Sequence, residues 1–262
     1  MSKIALVTGG SSGLGLAYAK ILGKQGFSII ILARNQDKIQ LAVNELNTMS
    51  IEAEGFSCDV SNDAELKHIS ELIRNKYSQI DFLILNAGTV TVKLLRDYTN
   101  VEEIKKDLDI DLFGVIGSAY YFLPMLKSGS KVLMTSSGFG LVGSAGYSVY
   151  CAAKAGIVNF AESMRRELLY QNINVYVTCP GDMDTPQLHQ EMESQPLWAR
   201  SDSPRKIVPV DWAANRILKQ CKGKYKFLII SGSDVKLLYY VTKFFPRKFR
   251  DFLIDNLLPR PK

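Results

Sequence analysis

The chain has 262 residues, of which 47% are hydrophobic and 22% are charged, so it can bury one large core, and α/β folds of this length are commonly single domains. Its four cysteines show no paired spacing and its two histidines have no ligand-like neighbours, which argues against a disulfide framework and against a metal site. Each cysteine is instead expected to be a small buried hydrophobic residue in a reducing compartment.

The first ten residues, MSKIALVTGG, enter a strand pattern by residue 3, so the sequence predicts no signal peptide. No run of the sequence reaches the roughly 18 apolar residues of a membrane span. A cytoplasmic protein is therefore expected, and a peripheral position on the cytosolic face of a membrane stays open.

Short apolar runs alternate with segments of helical period along the chain. The runs predict strands at 3–8, 27–33, 51–58, 80–85, 130–136, 173–179 and 225–231. The segments between them predict helices at 13–25, 36–48, 62–77, 101–126, 147–170 and 211–222. Such alternation builds a doubly wound parallel sheet with helices on both faces. The sequence therefore predicts one α/β domain over residues 1–234, followed by a separate C-terminal segment at 235–262.

The first predicted strand runs into a glycine-rich turn, TGGSSGLG, at residues 8–15. Gly9, Gly13 and Gly15 let the backbone turn tightly and approach a ligand, and the helix that begins there directs its free N–H groups toward it. The position of this turn, after the first strand of a βαβ unit, favours a nucleotide pyrophosphate as that ligand.

The segment GYSVYCAAK at residues 146–154 places two tyrosines near one lysine. Tyr150 precedes Lys154 by four residues and Tyr147 precedes it by seven, so on a helix either ring can share the face of the lysine. The residues alone leave open which tyrosine the lysine would help to deprotonate. The structural alternative is that the tyrosines and alanines only form a packed stripe on one face of the helix.

Five motifs in order resemble those of the short-chain dehydrogenase/reductase family over roughly residues 3–231. They are the GxxxGxG turn, NAG at 86–88, a serine thirteen residues before a tyrosine, YxxxK at 150–154 and PGDMDT at 180–185. The resemblance implies a single-domain Rossmann-type fold, a nicotinamide cofactor and hydride transfer between a carbonyl and an alcohol.

The resemblance implies that Tyr150 is the proton donor in carbonyl reduction, and the base in the reverse direction. A phenol has a pKa of about 10, so its anion needs roughly 4 kcal/mol of stabilisation near neutral pH, and the Lys154 ammonium can supply much of it. Ser137 would hydrogen-bond the substrate oxygen. Ser136 is the neighbouring alternative, but the thirteen-residue interval favours Ser137. Tyr147 then becomes a pocket or packing residue.

One position departs from the family pattern. Where the family commonly carries Asn in an N-x-x-G element, the run DIDLFG places Asp111 before Gly114. In the family, the main-chain carbonyl of that residue holds a water in a proton relay from the lysine. Asp111 is therefore expected in the catalytic set, with its carboxylate near Lys154. An aspartate that only orders the local backbone is the alternative.

The end of the second predicted strand, IIILARN, indicates the cofactor. Enzymes that prefer NAD place an acidic side chain there, whereas a 2′-phosphate requires a nearby cation instead. Ala33 stands at the acidic position and Arg34 follows it, with Ser12 able to add a weaker bond, so NADPH/NADP+ is expected. The resemblance also assigns Asp59 and Val60 to the adenine. The remaining cofactor contacts that it implies are Ser11, Leu14, Asn86, Ala87, Gly88, Tyr150, Lys154, Pro180, Gly181, Met183 and Thr185.

Residues 180–206 resemble the corresponding segment of 3-ketodihydrosphingosine reductases, notably in the D-x-D-T-P core, an acidic stretch and a QP turn. This likeness implies reduction of a long-chain 3-keto lipid, with Met192, Leu197 and Trp198 lining a lid. A reductase of steroids, retinoids or other apolar carbonyls is the alternative. A non-catalytic dinucleotide-sensing protein is less favoured, because it has no need of Tyr150 and Lys154.

Residues 235–262 contain seven Lys or Arg and two Asp, so they carry +5 of the total formal charge of +6. Pro246 is expected to begin a helix on which Phe249, Phe252, Leu253 and Leu257 share one face. This pattern predicts an interfacial membrane contact. A helix packed on the body or covering a partner in a homodimer or homotetramer is the alternative. Nucleic-acid binding is not expected, since no recognition motif accompanies the charge.

Overall fold

A parallel seven-stranded sheet forms the centre of the protein. A computed structural model describes residues 2–200 and 206–257, without the side chains of residues 256 and 257. The strands are β1 Lys3–Thr8, β2 Phe27–Ala33, β3 Ala53–Ser57, β4 Ile80–Leu85, β5 Leu126–Thr135, β6 Asn174–Pro180, β7 Met183–Asp184, β8 Val208–Pro209 and β9 Leu228–Ser231. The sheet order is β3-β2-β1-β4-β5-β6-β9, and β7 pairs separately with β8. The predicted doubly wound α/β fold is confirmed.

Helices cover both faces of this sheet. They are α1 Gly13–Gly23, α2 Gln36–Thr48, α3 Asp63–Lys76, α4 Val101–Leu108, α5 Gly114–Phe122, α6 Ser148–Leu168, α7 Pro186–Ser194, α8 Val210–Gln220, α9 Ser233–Phe244 and α10 Arg247–Leu257. In β1, Ala5 and Val7 belong to the core with α1, α2 and α8, whereas Ile4 and Leu6 belong to the core with α3, α5 and α6. Because both faces are buried, the strands read as continuous apolar runs.

The sheet order reverses between β1 and β4. The chain leaves β1 toward β2 on one side, and β4 returns on the other side, so the loops after β1 and β4 diverge. Parallel sheets of this kind bind ligands in the crevice that such a reversal leaves at the carboxyl ends of the strands. The glycine turn and the NAG loop both lie at this point.

The segment 101–126, predicted as one helix, is divided. A π-helical turn at Asp109–Phe113 separates α4 from α5. It coincides with the buried side chain of Asp111, whose Oδ1 accepts a hydrogen bond from the Thr89 N–H at 2.9 Å. A Cβ at Gly114 would lie 2.7 Å from the Val60 side chain, so the close approach after the turn requires glycine. Apolar periodicity does not reveal a π turn, because the turn displaces the pattern by one residue only.

Most predicted strands and helices differ from the structure by one to three residues at an end, and the differences are larger at β5 and at α7. Strand β5 begins at Leu126, whereas residue 130 was expected. Helix α7 lies in a segment for which the sequence was assigned no element, although two signals of a helix start were present. Thr185 accepts a hydrogen bond from the Leu188 N–H at 3.2 Å as the N-cap, and Pro186 occupies the first helical position.

The C-terminal segment forms α9 and α10. The helix expected after Pro246 is confirmed as α10, and the side chain of Leu257 lies outside the described residues. Helix α9 begins at Ser233, so the boundary placed between residues 234 and 235 falls in its first turn. Its Val235 is buried against Cys179 and Ile230. None of the helices in the described ranges combines the length and the apolarity needed to cross a bilayer.

The four cysteines are buried free thiols, as predicted. Burial raises the pKa of the Cys58, Cys179 and Cys221 thiols to about 12. Because the thiolate is the reactive form, these side chains act as core residues and not as nucleophiles.

Candidate active site

A cavity of about 490 Å³ runs along the carboxyl edge of the sheet. Its walls are the loops after β1, β2, β3, β4, β5 and β6, together with parts of α7 and α9. Its volume falls within the range of small-molecule sites, roughly 300–1,000 Å³. Ser137, Tyr150 and Lys154 line it, as do all the expected cofactor contacts except Gly15.

The turn after β1 fits a dinucleotide pyrophosphate. Gly9 has a φ of +66°, and a Cβ on Gly15 would collide with the Gly9 carbonyl oxygen, so both positions require glycine. The Ser12 side chain does not cap α1, which leaves the first N–H groups of the helix to a bound anion. On the outer side, a Cβ on Gly13 would lie 3.5 Å from Thr185, so the start of α7 closes over this loop.

Two cations lie where the adenosine end of the dinucleotide is expected. Arg34 and Lys38 line the cavity beside Ala33, and the Arg34 side chain is 60% exposed. The Arg34 Nη1 lies 4.0 Å from the Asp59 Oδ2, and the Asp59 Oδ1 accepts the Ser61 N–H and hydroxyl. The sequence reading missed Lys38, although its position four residues after Arg34 could have indicated it. This pair of cations fits a 2′-phosphate.

The NAG loop is fixed against β1 by hydrogen bonds from its backbone N–H groups to a side chain of that strand. The Thr8 hydroxyl oxygen accepts the N–H groups of Asn86 and Ala87 at 2.9 and 3.1 Å. The Asn86 side-chain oxygen accepts the Thr135 hydroxyl at 3.1 Å. The loop therefore spans β1, β4 and β5, and it closes the middle of the cavity.

Helix α6 carries Tyr150 and Lys154 on the same side. The Lys154 Nζ lies 5.3 Å from the centre of the Tyr150 ring, and Lys154 is only 4% exposed. Tyr150 is partly exposed to the cavity and its phenol is hydrogen-bonded by Ser137. The spacing of four residues therefore produces the tyrosine–lysine proximity that the sequence pattern predicts.

The two neighbouring serines have different environments. The buried Ser136 donates its hydroxyl to the Lys154 carbonyl oxygen at 2.8 Å, which ties β5 to α6. Ser137 lies at the cavity, and its Oγ accepts the Phe139 N–H at 3.2 Å. Ser136 therefore has a structural role, and Ser137 is the serine that lies beside Tyr150 at the cavity.

Asp111 lies behind Lys154 and not on the cavity wall. Its Oδ1 is 3.1 Å from the Lys154 Nζ, and both side chains are at least 95% buried. A Cβ on Gly88 would come within 2.7 Å of that same oxygen and 3.0 Å of the Nζ. The buried carboxylate and ammonium therefore form an ion pair under the NAG loop.

The pKa of Tyr150 is raised above its usual value. Burial is the main cause, and the Asp111 carboxylate is the second. The Ser137 hydrogen bond acts in the opposite direction, and Glu191 adds a smaller increase. The arrangement therefore favours the protonated phenol, which is the form that donates a proton.

Tyr147 occupies the wall beside Tyr150. Its ring centre lies 6.4 Å from that of Tyr150 and 4.6 Å from that of Phe139. Its hydroxyl donates to the Glu191 Oε1 at 2.7 Å and accepts from the Gln195 Nε2 at 3.2 Å. Tyr147 is therefore linked to α7. The sequence reading missed Glu191, since no motif marks it.

The expected lid residues do not line the cavity. Met192 and Leu197 are exposed, and Trp198 packs against Gly146. Leu188 and Glu191 from α7 line the cavity instead. Leu188 lies in the first turn of α7 beside the cavity, whereas Met192 lies near the end of the helix and its side chain is 40% exposed. Residues 201–205 of this segment lie outside the described residues.

The fold and site together define a class of protein. A doubly wound sheet, a glycine turn at its switch point and a tyrosine–lysine pair on α6 are the parts of a dinucleotide-dependent oxidoreductase. Residues 3–196 match the family model described as short chain dehydrogenase. The chain belongs to this family and is an NAD(P)-dependent oxidoreductase.

Two curated relatives are similar over most of their length. Carbonyl reductase family member 4 of Xenopus laevis is 32% identical over 212 residues, which cover 80% of this chain and 84% of the relative. The 11-beta-hydroxysteroid dehydrogenase-like 2 protein of Arabidopsis thaliana is 27% identical over 261 residues, which cover 97% of this chain and 81% of the relative.

Solved structures share the fold. A short-chain dehydrogenase from Streptomyces avermitilis has a TM-score of 0.79 with 23% sequence identity, and the comparison covers 98% of this chain and 96% of the other. Actinorhodin polyketide ketoreductase, solved with NADPH, has a TM-score of 0.70 with 24% identity and covers 93% of this chain and 91% of its own. These likenesses show that one fold extends over at least 93% of the chain.

Proposed function

We propose that the protein reduces a ketone to an alcohol on a long-chain lipid of the 3-ketodihydrosphingosine type, with NADPH as the reductant. The observation that supports reduction, and not oxidation, is the buried Asp111–Lys154 pair behind Tyr150, because it favours a protonated phenol. A protonated phenol is a general acid, and a general acid is what carbonyl reduction requires.

The residues at the end of β2 support NADPH as the cofactor. Arg34 and Lys38 can both hydrogen-bond a 2′-phosphate with charge assistance, and Ala33 brings no carboxylate that would repel it. The Gly9 turn and the first turn of α1 would hold the pyrophosphate, and Asn86 would support the nicotinamide half. When bound, the reduced nicotinamide supplies the hydride for the carbonyl carbon.

The chain supplies the proton and the alignment. Tyr150 donates its phenolic proton to the carbonyl oxygen as negative charge develops there, and the Ser137 hydroxyl donates a second hydrogen bond to the same oxygen. Lys154 lies below the ring and limits the cost of the phenolate that remains. Asp111 holds the ammonium in place and offsets part of its charge.

The substrate end of the cavity supports an apolar chain. Phe139, Leu188, Val235 and Leu238 line it from three different elements, the turn after β5, α7 and α9. The D-x-D-T-P core at residues 182–186, which resembles that of 3-ketodihydrosphingosine reductases, leads directly into α7 and hence into this wall. A chain of methylene groups fits such a wall because every carbon buried from water adds to the binding free energy.

A steroid or similar ketone is the second candidate. The 11-beta-hydroxysteroid dehydrogenase-like protein of Arabidopsis thaliana aligns with 97% of this chain, including the part that contains α9. A rigid polycyclic ketone would use the same Tyr150 and Ser137, so the two candidates differ only in the apolar part of the cavity.

The test is NADPH consumption with a panel of carbonyl compounds. The panel contains 3-ketodihydrosphingosine, a steroid ketone, retinal and a short ketoester, each measured with the wild-type chain and with Tyr150→Phe. We expect the highest kcat/KM with the long-chain ketone and a loss of turnover by about 10²–10⁴ in the variant. A higher kcat/KM with the steroid ketone would establish the second candidate. Equal kcat/KM values for all four would rule out a lipid-specific site.

A further inference from the structure

An apolar surface covers the outer side of the C-terminal helices. It consists of Leu237 and Tyr240 and Phe244 on α9, Phe245 in the connection, and Phe249 on α10, and we call it the aromatic face. These five side chains are between 46% and 67% exposed. The Tyr240 and Phe244 rings stack at 5.9 Å and the Phe245 and Phe249 rings lie 5.2 Å apart, so the row continues across the break between the helices.

Basic residues accompany the aromatic face. Five Lys or Arg fall within residues 236–250, at positions 236, 243, 247, 248 and 250, against no acidic residue in that stretch. Arg247 and Arg250 both contact Asp251, at 3.6 and 2.9 Å. The Lys243 Nζ donates to the Tyr239 hydroxyl at 2.8 Å. The surface therefore combines large apolar side chains with a local excess of positive charge.

The opposite side of α9 belongs to the active site. Val235 is buried in the core and lines the cavity together with Leu238, while Leu237, its immediate neighbour, is 59% exposed. Both faces lie on one helix of twelve residues, so the aromatic face begins within one turn of the cavity wall. Whatever binds the aromatic face is therefore held beside the cavity.

We propose that the aromatic face docks on the surface of an anionic lipid bilayer and presents the cavity to it. Exposed aromatic and aliphatic side chains enter the boundary between headgroups and acyl chains, and nearby cations are attracted to anionic headgroups. This proposal concerns where the enzyme works, and it holds for any apolar ketone that resides in a membrane.

The charge favours a bilayer over a second copy of the chain. A two-fold symmetric contact through the aromatic face would bring the same cationic cluster of each copy together, and like charges in such a contact repel. An anionic bilayer can bind both the apolar side chains and the cations, because its interior accepts the first and its headgroups neutralise the second. A second copy is therefore treated as the competing outcome of the test.

The test is sedimentation of the full chain with vesicles of phosphatidylcholine, with and without phosphatidylserine. We expect the protein to sediment with the phosphatidylserine vesicles at low salt, to be partly released at high salt, and to bind phosphatidylcholine alone much less. Lys236→Gln combined with Lys248→Gln should weaken binding roughly tenfold or more. Failure to bind the anionic vesicles at any salt concentration overturns the proposal.

A matched pair of variants tests whether vesicle binding depends on the aromatic face or on exposed apolar side chains anywhere on the surface. The face variant replaces Tyr240, Phe244 and Phe249 by serine, and the control variant likewise replaces Leu41, Leu95 and Tyr170, which lie elsewhere and are between 62% and 95% exposed. The face variant should lose vesicle binding while its turnover of a small soluble ketone and its thermal unfolding stay unchanged. The control variant should bind like the wild type.

Two results of this pair would overturn the proposal. One is equal vesicle binding by the face and control variants. The other is a change of the face variant from dimer to monomer on gel filtration without any vesicle binding by the wild type, which assigns the face to a second copy. Because the soluble ketone reports catalysis separately, neither result depends on the identity of the natural substrate.

Discussion

The Asp111 carboxylate lies 3.1 Å from the Lys154 ammonium, and both groups are buried beneath the loop that contains Gly88. This relationship changes what the lysine does for the tyrosine above it. A buried ammonium without a counter-charge would strongly favour the phenolate of Tyr150, whereas a paired ammonium favours it less. The ion pair thus sets the balance between acid and base at the reacting group.

Replacement of Asp111 by asparagine should shift the pH profile of reduction. Loss of the carboxylate lets the Lys154 charge stabilise the phenolate, so the pKa of Tyr150 falls. Reduction needs the protonated phenol, and therefore the decline of kcat/KM at alkaline pH should begin at lower pH in Asp111→Asn. The control is Asp109→Asn, at an exposed position two residues earlier in the same π turn. An unchanged alkaline limb in Asp111→Asn would show that Asp111 only orders the backbone.

Tyr150→Phe should lower kcat by about 10²–10⁴, the usual contribution of a general acid, with little change in NADPH affinity. The hydroxyl is lost but the cofactor walls remain. Tyr147→Phe should keep turnover within a few fold and lose stability, since the hydrogen bond to Glu191 contributes roughly 1.5–3 kcal/mol. Steady-state rates, fluorescence titration and thermal unfolding measure these effects. If Tyr147→Phe were inactive while Tyr150→Phe stayed active, Tyr147 and not Tyr150 would be the proton donor.

Arg34→Ala should weaken NADPH binding by roughly 1.5–3 kcal/mol, the range for a hydrogen bond to a charged group, and change NADH binding little. Lys38→Ala should act in the same direction, because Lys38 lines the same end of the cavity. Lys24→Ala, at the far end of α1, is the control. Fluorescence titration with NADPH and NADH measures the cofactor preference. If Arg34→Ala weakened the binding of both dinucleotides equally, Arg34 would support the fold and not bind the 2′-phosphate.

Gly15→Ala should abolish cofactor binding and destabilise the protein. The added Cβ collides with the Gly9 carbonyl oxygen and would lie 2.8 Å from the Asn86 side-chain nitrogen, so the turn must shift away from β4. Gly223→Ala is the matched control, because a Cβ there has no atom within 4 Å. Calorimetric titration with NADPH and thermal unfolding measure both effects. Normal NADPH affinity in Gly15→Ala would contradict the close-packed turn.

Much of the fold could be predicted because the strands are buried on both faces and therefore appear as unbroken apolar runs. The glycine turn could be placed from its position after the first strand, whereas helical spacing allowed either Tyr147 or Tyr150 beside Lys154, and the family resemblance indicated Tyr150. The π turn at Asp109–Phe113 could not be foreseen, since a single added residue leaves too weak a trace in periodicity.

The substrate end of the site was harder to predict because its residues come from elements far apart in sequence. Leu188, Glu191, Val235 and Leu238 converge through tertiary packing, and none belongs to a local motif that indicates a pocket. Met192 and Leu197 were apolar and close to the D-x-D-T-P core, yet both are exposed, Met192 near the end of α7 and Leu197 in the turn that follows it. Side-chain direction on a short helix depends on its start, and the Thr185 cap had not been recognised.

Leu237 and Leu238 are identical residues with opposite surroundings, and only the rotational setting of α9 distinguishes them. That setting is fixed where the helix leaves β9, at Gly232, which has a φ of +128°. An insertion or deletion of one residue in this connection would turn the helix by about 100° and exchange inner for outer side chains along its length. The length of that connection therefore determines which side chains of α9 line the cavity and which lie on the outer surface. A change in its length would disrupt both at once.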